Sequence, residues 1–330
     1  MNELLGRTVL VTGADGFIGS HLVERLVRDG VKVRAFCYYN SFGSLGWLDH
    51  CPKEARDALD VRFGDIRDAA FVAEACQGVD AVAHLAALIA IPYSYSAPSS
   101  YLETNVTGTL NVLEAVRRHG VSRLVHTSTS EVYGTPDTLP IRETHPLRAQ
   151  SPYAASKVAA DQFVLAYQRS FGIPALVLRP FNTYGPRQST RAVIPTILTQ
   201  LLAGVKVIEL GRTDPRRDLT FVEDTVDGFV HALSVSGIEG ETFQLGTGDS
   251  PSILEIFEKC CEVLGVQAEI RQDPKRLRPD ASEVQVLLSD PARARARLGW
   301  EARTPLVEGL ARTAAWVHAN RELVSRPFYR

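Results

Sequence analysis

Residues 7–22 read RTVLVTGADGFIGSHL and join an apolar, strand-like run to the start of a helix. Gly13, Gly16 and Gly19 stand at that junction. Such a glycine turn lets the backbone approach a pyrophosphate, whose negative charge is favoured by the amide groups at the helix N-terminus. The stretch therefore predicts a strand–turn–helix unit that binds a dinucleotide, although its first gap is wider than in the G-x-G-x-x-G pattern.

The first half of the chain alternates strand-like and helix-like segments. Short apolar runs that predict strands lie at 7–12, 31–36, 60–63, 79–85, 122–128 and 174–180. Helical patterns lie between them at about 17–29, 68–76, 100–119 and 152–171. Short, doubly buried strands that alternate with helices indicate a parallel sheet covered on both faces. We therefore predict an α/β fold with a doubly wound, Rossmann-type parallel sheet.

The pattern changes after Pro180, where loops rich in Gly, Pro and Arg separate short helices. We expect residues 1–180 to form the dinucleotide-binding domain, with 223–246 returning to its sheet. Residues 181–222 and 247–330 are then expected to form a smaller, substrate-binding lobe.

The composition excludes several classes of protein. The 330 residues are 45% hydrophobic and carry a net charge of −2, which fits a globular chain with no general surface for nucleic acid. The five cysteines form no C-x-x-C pair, so we expect no structural metal and a reducing, cytoplasmic location. We expect no signal peptide, and no apolar run reaches the roughly 18 residues needed to span a membrane.

Tyr153 and Lys157 lie four residues apart in SPYAASKVAAD (151–161), a segment with a helical pattern. Their side chains therefore project from one helix face. A tyrosine transfers protons near neutral pH only if its pKa falls well below its ordinary value of about 10. We expect the Lys157 ammonium to lower that pKa by favouring the phenolate.

With these motifs in place, the chain resembles the extended short-chain dehydrogenase/reductase family, in particular its NAD-dependent nucleotide-sugar epimerases and dehydratases. The motifs come in the family's order and spacing and cover nearly the whole chain. They are TGADGFIG (12–19), GDIRD (64–68), HLAA (84–87), Asn105, TSTSEVYG (127–134), YAASK (153–157) and RPFNTYGP (179–186).

The resemblance implies roles for individual residues. Tyr153 and Lys157 are implied to be the catalytic pair and to contact the cofactor. Asp65 and Ile66 are implied to flank the adenine. The full set of implied cofactor-binding residues is Gly13, Gly16, Phe17, Ile18, Gly19, Asp65, Ile66, Leu85, Ala86, Ala87, Asn105, Tyr153, Lys157 and Pro180.

The end of the second predicted strand bears on the choice of cofactor. Many relatives carry an acid there that binds the adenosine ribose hydroxyls. In this chain the aligned residue is Cys37, followed by the run YYNS. No carboxylate in this run repels a 2′-phosphate, and the nearest cation is Arg34. We predict NAD as the cofactor, with NADP as the alternative.

The stretch TSTSEVYG (127–134) separates the reactions known in the family. Thr129 can hold the 4-hydroxyl of a sugar, as a 4-epimerase requires. Glu131 is an additional carboxylate just beyond a strand end, where a general base can act. Sugar 4,6-dehydratases resemble this arrangement, and some carry an aspartic acid between the two residues that protonates the leaving 6-hydroxyl. Here that residue is Ser130, which leaves Glu131 or a water held by Ser130 for the task.

We therefore predict a nucleotide-sugar 4,6-dehydratase with Thr129, Ser130, Glu131, Tyr153 and Lys157 as its catalytic residues. Residues 38–49 and 179–196 most resemble the UDP-N-acetylglucosamine 4,6-dehydratases of bacterial nonulosonic (legionaminic) acid pathways. The same STSEVYG string occurs in UDP-glucuronate decarboxylases. The alternatives are a 4-epimerase, a UDP-glucuronate decarboxylase and, more distantly, a non-catalytic dinucleotide-sensing module.

The second lobe is implied to hold the nucleotide diphosphate of the sugar. Arginine suits phosphate because its planar fork donates two hydrogen bonds and stays charged. The implied substrate-binding residues are Thr129, Asn182, Arg187, Arg217 and Arg278.

The resemblance also implies a homodimer with a four-helix interface formed by residues 100–119 and 152–171. Apolar positions in these segments fit either that interface or the core of the domain. They are Leu110, Val112, Leu113, Val116, Val158, Phe163, Val164 and Tyr167.

Overall fold

A parallel sheet of seven strands forms the centre of the protein in a computed structural model that describes residues 2–277 and 282–324. The strands, in chain order, are β1 (Thr8–Thr12), β2 (Lys32–Tyr38), β3 (Asp60–Gly64), β4 (Ala81–His84), β5 (Arg123–Thr127), β6 (Ala175–Pro180), β7 (Asn182–Tyr184), β8 (Val207–Leu210), β9 (Arg216–Arg217), β10 (Leu219–Phe221), β11 (Thr242–Leu245), β12 (Glu269–Gln272) and β13 (Val286–Leu287). The central sheet has the order β11-β6-β5-β4-β1-β2-β3. This doubly wound arrangement confirms the predicted α/β class.

Helices cover both faces of the sheet. They are α1 (Phe17–Arg28), α2 (Lys53–Asp57), α3 (Ala69–Cys76), α4 (Ile91–Ser96), α5 (Pro98–Tyr101), α6 (Gly108–His119), α7 (Pro152–Phe171), α8 (Val193–Leu202), α9 (Val222–Ser234), α10 (Ile253–Leu264), α11 (Leu306–Ala319) and α12 (Arg321–Val324). Helices α3 and α6 pack together, as do α1 and α9. Within the described ranges, no helix combines the length and apolar character needed to cross a membrane.

The inner strands β1, β4 and β6 are largely apolar because both faces of the sheet are buried there. In β1, Leu10 packs into one apolar cluster, while Val9 and Val11 pack into the cluster on the opposite face. Successive strand side chains point to opposite faces, so a strand buried on both sides needs a continuous apolar run.

The edge strand β11 comes from far along the chain. It pairs in parallel with β6, and the preceding helix α9 packs against α1. Residues 222–245 therefore add a helix and a strand to the first domain.

The second lobe has its own apolar core. Helices α8, α10 and α11 pack against one another beside the parallel pair formed by β8 and β12. Ile197, Leu198, Ile256 and Leu310 lie fully buried in this cluster. This packing gives the lobe a stable body behind the loops that face the sheet.

The segment predicted as one helix over 100–119 is divided. Helix α5 passes into a π-helical turn at Leu102–Thr107 before α6 begins. Asn105 is buried in this turn, and its side chain reaches the loop after β4. Single π-helical turns of this kind are frequent at functional sites.

The buried carboxylate of Asp218 ties three loops together. It accepts hydrogen bonds from the backbone and hydroxyl of Thr247, both at 2.7 Å, and from Gly248 N at 3.1 Å. It also accepts from Ser289, at 3.1 Å from the backbone amide and 2.5 Å from the hydroxyl. The Asp218 carbonyl accepts from Asn182 N at 3.0 Å, which adds β7 to the same joint.

We expect Asp218→Asn to lower the free energy of unfolding by about 3 kcal/mol, because an amide NH₂ replaces an oxygen that faces buried donors. Chemical denaturation measures the effect. Asp214→Asn is the control, because Asp214 is exposed and binds only the neighbouring Arg212 among the contacts described for it. Equal losses in the two variants would contradict the role of Asp218.

Candidate active site

The glycine turn after β1 is built for close approach. Gly13 has a φ of +69°, and a Cβ there would lie 2.9 Å from Ala86 N. A Cβ on Gly19 would lie 2.0 Å from the Gly13 carbonyl oxygen. Helix α1 begins at Phe17, and no side chain caps its N-terminus at Gly16. Its first amide groups are therefore available to an anion, so the turn fits the pyrophosphate of a dinucleotide.

A buried hydroxyl joins this turn to the loop after β4. Thr12 Oγ1 accepts hydrogen bonds from Leu85 N and Ala86 N, each at 3.1 Å. The same oxygen lies 2.8 Å from His84 Nδ1. These contacts fix the implied cofactor-lining residues Leu85 and Ala86 beside Gly13.

The hydrogen bonds around His84 show which of its two ring nitrogens carries the proton. Thr109 Oγ1 donates to the Asn105 carbonyl at 2.6 Å, so its contact with His84 Nε2 at 3.0 Å requires the ring nitrogen to donate. His84 Nδ1 then accepts from Thr12. Burial, aided by nearby His126, lowers the pKa of His84 well below its ordinary value, which agrees with a neutral ring that supports the cleft.

Asn105 braces the same cleft from the helix side. Its Oδ1 accepts from Leu88 N, and its Nδ2 donates to Leu88 O, both at 2.9 Å. The Nδ2 group also donates to Ser156 Oγ at 2.9 Å. The structure therefore places the Asn105 amide between the β4 loop and α7, rather than free to bind the cofactor as the resemblance implied.

Asp65 and Ile66 follow β3 at the edge of the cleft. The Asp65 carboxylate pairs with Arg67 at 2.6 Å, which lowers its pKa, and Arg67 also reaches Glu103 at 3.2 Å. Ile66 is buried against Gly108. A Cβ on Gly108 would lie 2.8 Å from the Ile66 side chain, so the close packing requires glycine there.

The other implied cofactor residues lie at the same end of the sheet. Ile18, Leu85 and Ala87 are partly buried, and Pro180 is buried at the end of β6. Phe17 packs against the apolar cluster of the second lobe. The first turn of α1 thus lies between the two lobes.

Tyr153 and Lys157 occupy the first turns of α7. The helix begins at Pro152, and Ser151 caps it by accepting a hydrogen bond from Ala154 N at 3.1 Å. The two side chains are 7% and 4% exposed. The predicted pair is therefore buried beneath the cleft, not on an exposed helix face.

Thr129 and Glu131 reach the same tyrosine from the end of β5. The Thr129 side chain hydrogen-bonds to Tyr153, and the Glu131 carboxylate is near enough to raise the pKa of the phenol. The structure thus brings together three residues that the sequence placed in two separate motifs.

The pKa of Tyr153 runs against the expectation from the sequence. Burial raises it well above its ordinary value, and Thr129 opposes that rise only in part. The phenol is therefore neutral at rest, because burial outweighs the groups that favour the phenolate.

Ser130 and Glu131 begin a short helical turn that runs from Ser130 to Tyr133. Thr129 Oγ1 accepts from Glu131 N at 3.3 Å, and Gly134 N donates to the Glu131 carbonyl at 3.3 Å. Ser130 is buried, whereas Glu131 is partly exposed. These contacts therefore fix the backbone from which the partly exposed Glu131 side chain extends.

A buried carboxylate, Asp161, lies one helical turn beyond Lys157. It accepts from Ser128 Oγ at 2.7 Å and pairs with Arg179 at 2.9 Å. His126 Nε2 lies 3.3 Å from its second oxygen. Although burial raises the Asp161 pKa, these partners lower it overall, so the group stays ionised.

Asp161 also influences its neighbours. Burial lowers the pKa of Lys157 to about 8, and the Asp161 charge opposes this fall. Burial and the Lys157 charge lower the pKa of His126 to about 4, so that ring is neutral. The sequence analysis missed Asp161, although its spacing from Lys157 placed both on one helix face.

Arg179 carries this network to the edge strand. It donates to Tyr133 Oη at 2.9 Å, and its guanidinium lies over the Tyr133 ring. Gln244, on β11, donates to the same hydroxyl at 2.7 Å. The catalytic helix, β6 and the edge strand are therefore locked together below the site.

Asn182 lies in β7, directly after the sheet. Its Oδ1 is buried and, within the described residues, has no hydrogen-bond partner. A buried carbonyl oxygen without a donor is costly unless a ligand supplies one. Its position therefore fits the predicted contact with substrate.

Arg187 was predicted to contact the substrate, but its guanidinium is held against α1 instead. Its guanidinium pairs with Glu24 at 2.7 Å and contacts Ser20 Oγ at 3.3 Å, both on α1. The residue has a φ of +69°, and Pro186 O lies 3.0 Å from His21 Nε2. The loop is thus fastened to α1, and Arg187 serves as its anchor.

Arg217 lies in β9 of the second lobe. It donates to Glu283 at 2.8 Å, and both side chains are 9% exposed. Arg278 lies outside the described residues. The substrate roles of both arginines stay predictions.

Comparison with known proteins identifies the family. The family model for GDP-mannose 4,6 dehydratase matches residues 10–313. A dTDP-glucose 4,6-dehydratase of Actinoplanes sp. is 34% identical and covers 95% of this chain and 98% of its own length. A UDP-glucose 4-epimerase of Mycolicibacterium smegmatis is 36% identical, with coverages of 92% and 96%.

A solved structure agrees with these sequence matches. DesIV, a dTDP-glucose 4,6-dehydratase from Streptomyces venezuelae solved with NAD bound, superimposes with a TM-score of 0.82 at 33% identity. The match covers 96% of this chain and 99% of that one. The chain therefore belongs to the extended short-chain dehydrogenase/reductase family, within its NAD-dependent epimerase and dehydratase group.

Proposed function

We propose that this protein is an NAD-dependent 4,6-dehydratase of a nucleotide sugar of the UDP-N-acetylglucosamine type. The observation that carries the proposal is the Glu131 carboxylate, held beside Tyr153 and Thr129 at the end of β5. A simple 4-epimerase needs the tyrosine, the lysine and the hydroxyl, but it does not need a further base at this place.

NAD is the proposed cofactor. The uncapped N-terminus of α1 and the glycine turn fit its pyrophosphate. Solved relatives, such as DesIV, carry NAD. When bound, the oxidised nicotinamide would take hydride from the sugar C4, return it at C6 and place a positive charge near Tyr153.

Tyr153 is the proposed base for the sugar 4-hydroxyl. Its high resting pKa keeps the phenol neutral until positive charge gathers around it. Lys157 is buried on the same helix, and Asp161 helps to keep it protonated. Thr129 hydrogen-bonds to Tyr153 and is placed to orient the hydroxyl that loses its proton.

Glu131 is the proposed base for the next step. Formation of a 4-ketone acidifies the proton at C5, which the Glu131 carboxylate removes as the 6-hydroxyl leaves. Glu131, once protonated, or a water bound to Ser130 supplies the proton that makes this group water. The returned hydride at C6 and a proton from solvent at C5 then complete the product, a 4-keto-6-deoxy sugar nucleotide.

The substrate assignment rests on Asn182 and on two stretches of sequence. Asn182 Oδ1 is a buried acceptor that lacks a donor among the described residues. The stretches 38–49 and 179–196 resemble enzymes that act on UDP-N-acetylglucosamine, and we propose that sugar nucleotide. The 36% identity to a UDP-glucose 4-epimerase makes 4-epimerisation the second candidate.

Incubation with UDP-N-acetylglucosamine is expected to give a 4-keto product that lacks one water, without added reductant. Glu131→Gln should slow this dehydration by about 100-fold or more, because the C5 base is lost. It should still form the reduced cofactor, which absorbance detects. Mass spectrometry follows the product.

The control for Glu131 is Glu301→Gln, a carboxylate-to-amide change at an exposed ion pair with Arg295. This variant should be as active as the wild type. Formation of a 4-epimer alone, with Glu131→Gln fully active, would instead support the epimerase. Release of carbon dioxide from UDP-glucuronate would support the decarboxylase.

In a plot of kcat against pH, Asp161→Asn should shift the loss of activity on the alkaline side to lower pH. The Lys157 ammonium is needed beside Tyr153, and it is lost as the pH rises through its pKa of about 8. Because the Asp161 charge raises that pKa, its removal lowers the pH at which the ammonium is lost. Activity should therefore fall more at mildly alkaline than at mildly acidic pH.

Ser128→Ala is the matched control for this pH profile. It removes a hydrogen bond to Asp161 but leaves the carboxylate charge in place. Its alkaline limb should coincide with that of the wild type. An unchanged limb in Asp161→Asn would show that the carboxylate does not act through Lys157.

We also propose a homodimer. Of the apolar positions on the two helical segments, Val112, Leu113, Val116 and Val164 are buried in the domain core. Phe163 is 39% exposed on α7 and so is free to meet a partner. Phe171 on α7 and Leu102 beside α6 are also exposed, at 55% and 58%.

Phe163→Arg is expected to convert the dimer to a monomer, because it places a charge at the proposed apolar interface. Light scattering coupled to size exclusion measures the mass. Leu254→Arg on α10, also an exposed apolar residue, is the control and should leave the dimer intact. A monomeric wild type would reject the proposed interface.

A further inference from the structure

The end of β2 lacks the acid that usually binds the adenosine ribose. Between Asp29 and Asp49 the chain contains no Asp or Glu. Cys37 is fully buried, and its thiol donates towards the Ala35 carbonyl at 3.9 Å. The residue that replaces the usual acid in sequence therefore does not face the cofactor.

A carboxylate reaches this place from another part of the chain. Asp15 lies within the glycine turn, between Gly13 and Gly16. Its Oδ2 accepts a hydrogen bond from Tyr38 N at 3.2 Å, at the last residue of β2. In doubly wound folds, the adenosine ribose lies between the glycine turn and the end of the second strand.

The loop after β2 fixes Asp15 in position. Trp47 N donates to the Asp15 carbonyl at 3.0 Å. Gly46 has a φ of +59°, and a Cβ there would lie 2.6 Å from that carbonyl oxygen and 3.1 Å from Asp15 Cβ. The Trp47 ring in turn packs edge-on against Trp316 of α11, with centroids 5.5 Å apart. The backbone of Asp15 is thus held against the loop that follows β2.

Two nearby arginines are already engaged. Arg34 on β2 pairs with Asp60 at 2.6 Å, and its guanidinium also donates to the carbonyl oxygens of Ala75 and Gln77. Arg67 pairs with Asp65 at 2.6 Å, as described above. Neither offers an uncompensated positive charge to a 2′-phosphate at this strand end.

We propose that Asp15 binds the adenosine ribose hydroxyls and sets the preference for NAD over NADP. Its carboxylate accepts hydrogen bonds from the 2′- and 3′-hydroxyls, and it repels the 2′-phosphate of NADP. The glycine turn itself thus supplies the acid that the second strand lacks. This inference rests on the proposed use of NAD.

Equilibrium binding of NAD and NADP, measured by calorimetry, tests the proposal. The wild type should favour NAD. Asp15→Asn should weaken NAD binding by about 10-fold, since a hydrogen bond to a charged group is lost. NADP binding should strengthen at the same time. The ratio of the Kd for NADP to the Kd for NAD should therefore fall by more than about 10-fold in this variant.

Asp57→Asn is the matched control, because it removes one carboxylate from an exposed pair with Lys53 on α2. Its Kd ratio should equal that of the wild type. Asp15→Ser, which removes the same charge with a smaller side chain, replaces Asp15→Asn if that variant does not fold. A folded Asp15 variant with the wild-type ratio overturns the inference, whereas a wild type that binds neither dinucleotide rejects the proposed function instead.

Discussion

The ion pair between Asp161 and Arg179 is the interaction on which the site depends. Both side chains are essentially excluded from solvent, at 0% and 3% exposure. A buried charge of this kind is tolerated only when it is paired and hydrogen-bonded. Asp161 meets that condition through Ser128 and Arg179, and it thereby joins α7 to the ends of β5 and β6. The same carboxylate then supports the charge of Lys157, so one anion serves both packing and chemistry.

The cofactor side of the cleft depends on uncharged groups instead. Thr12, His84 and Thr109 form a chain of hydrogen bonds that fixes the loop after β4 against the glycine turn. Because His84 is neutral and fully bonded, it adds no charge beside the site of the dinucleotide. A second histidine, His126, is also neutral, so the positive charge buried near Tyr153 comes from Lys157 rather than from the imidazoles.

Regular patterns made the fold predictable. The inner strands are buried on both faces and appear as short apolar runs, and the glycine turn marked the first crossover. Side-chain partners were less predictable because they depend on distant residues. Asn105 bonds to Leu88 and Ser156, and Arg187 bonds to Glu24, which no local spacing indicates. Asp15 illustrates the same point, since only the folded turn brings it to Tyr38.

The choice between dehydration and epimerisation depends on what surrounds the shared oxidation step. Tyr153, Lys157 and Asp161 lie on one helix, and in the proposed mechanism Tyr153 removes the first proton in either reaction. Glu131 lies on a separate turn, whose backbone is held by Thr129 and Gly134. In the proposed mechanism, dehydration therefore differs from epimerisation at the turn after β5, while the buried network of α7 serves both. Relatives at 34% and 36% identity to this chain are a dehydratase and an epimerase, so one fold serves both reactions.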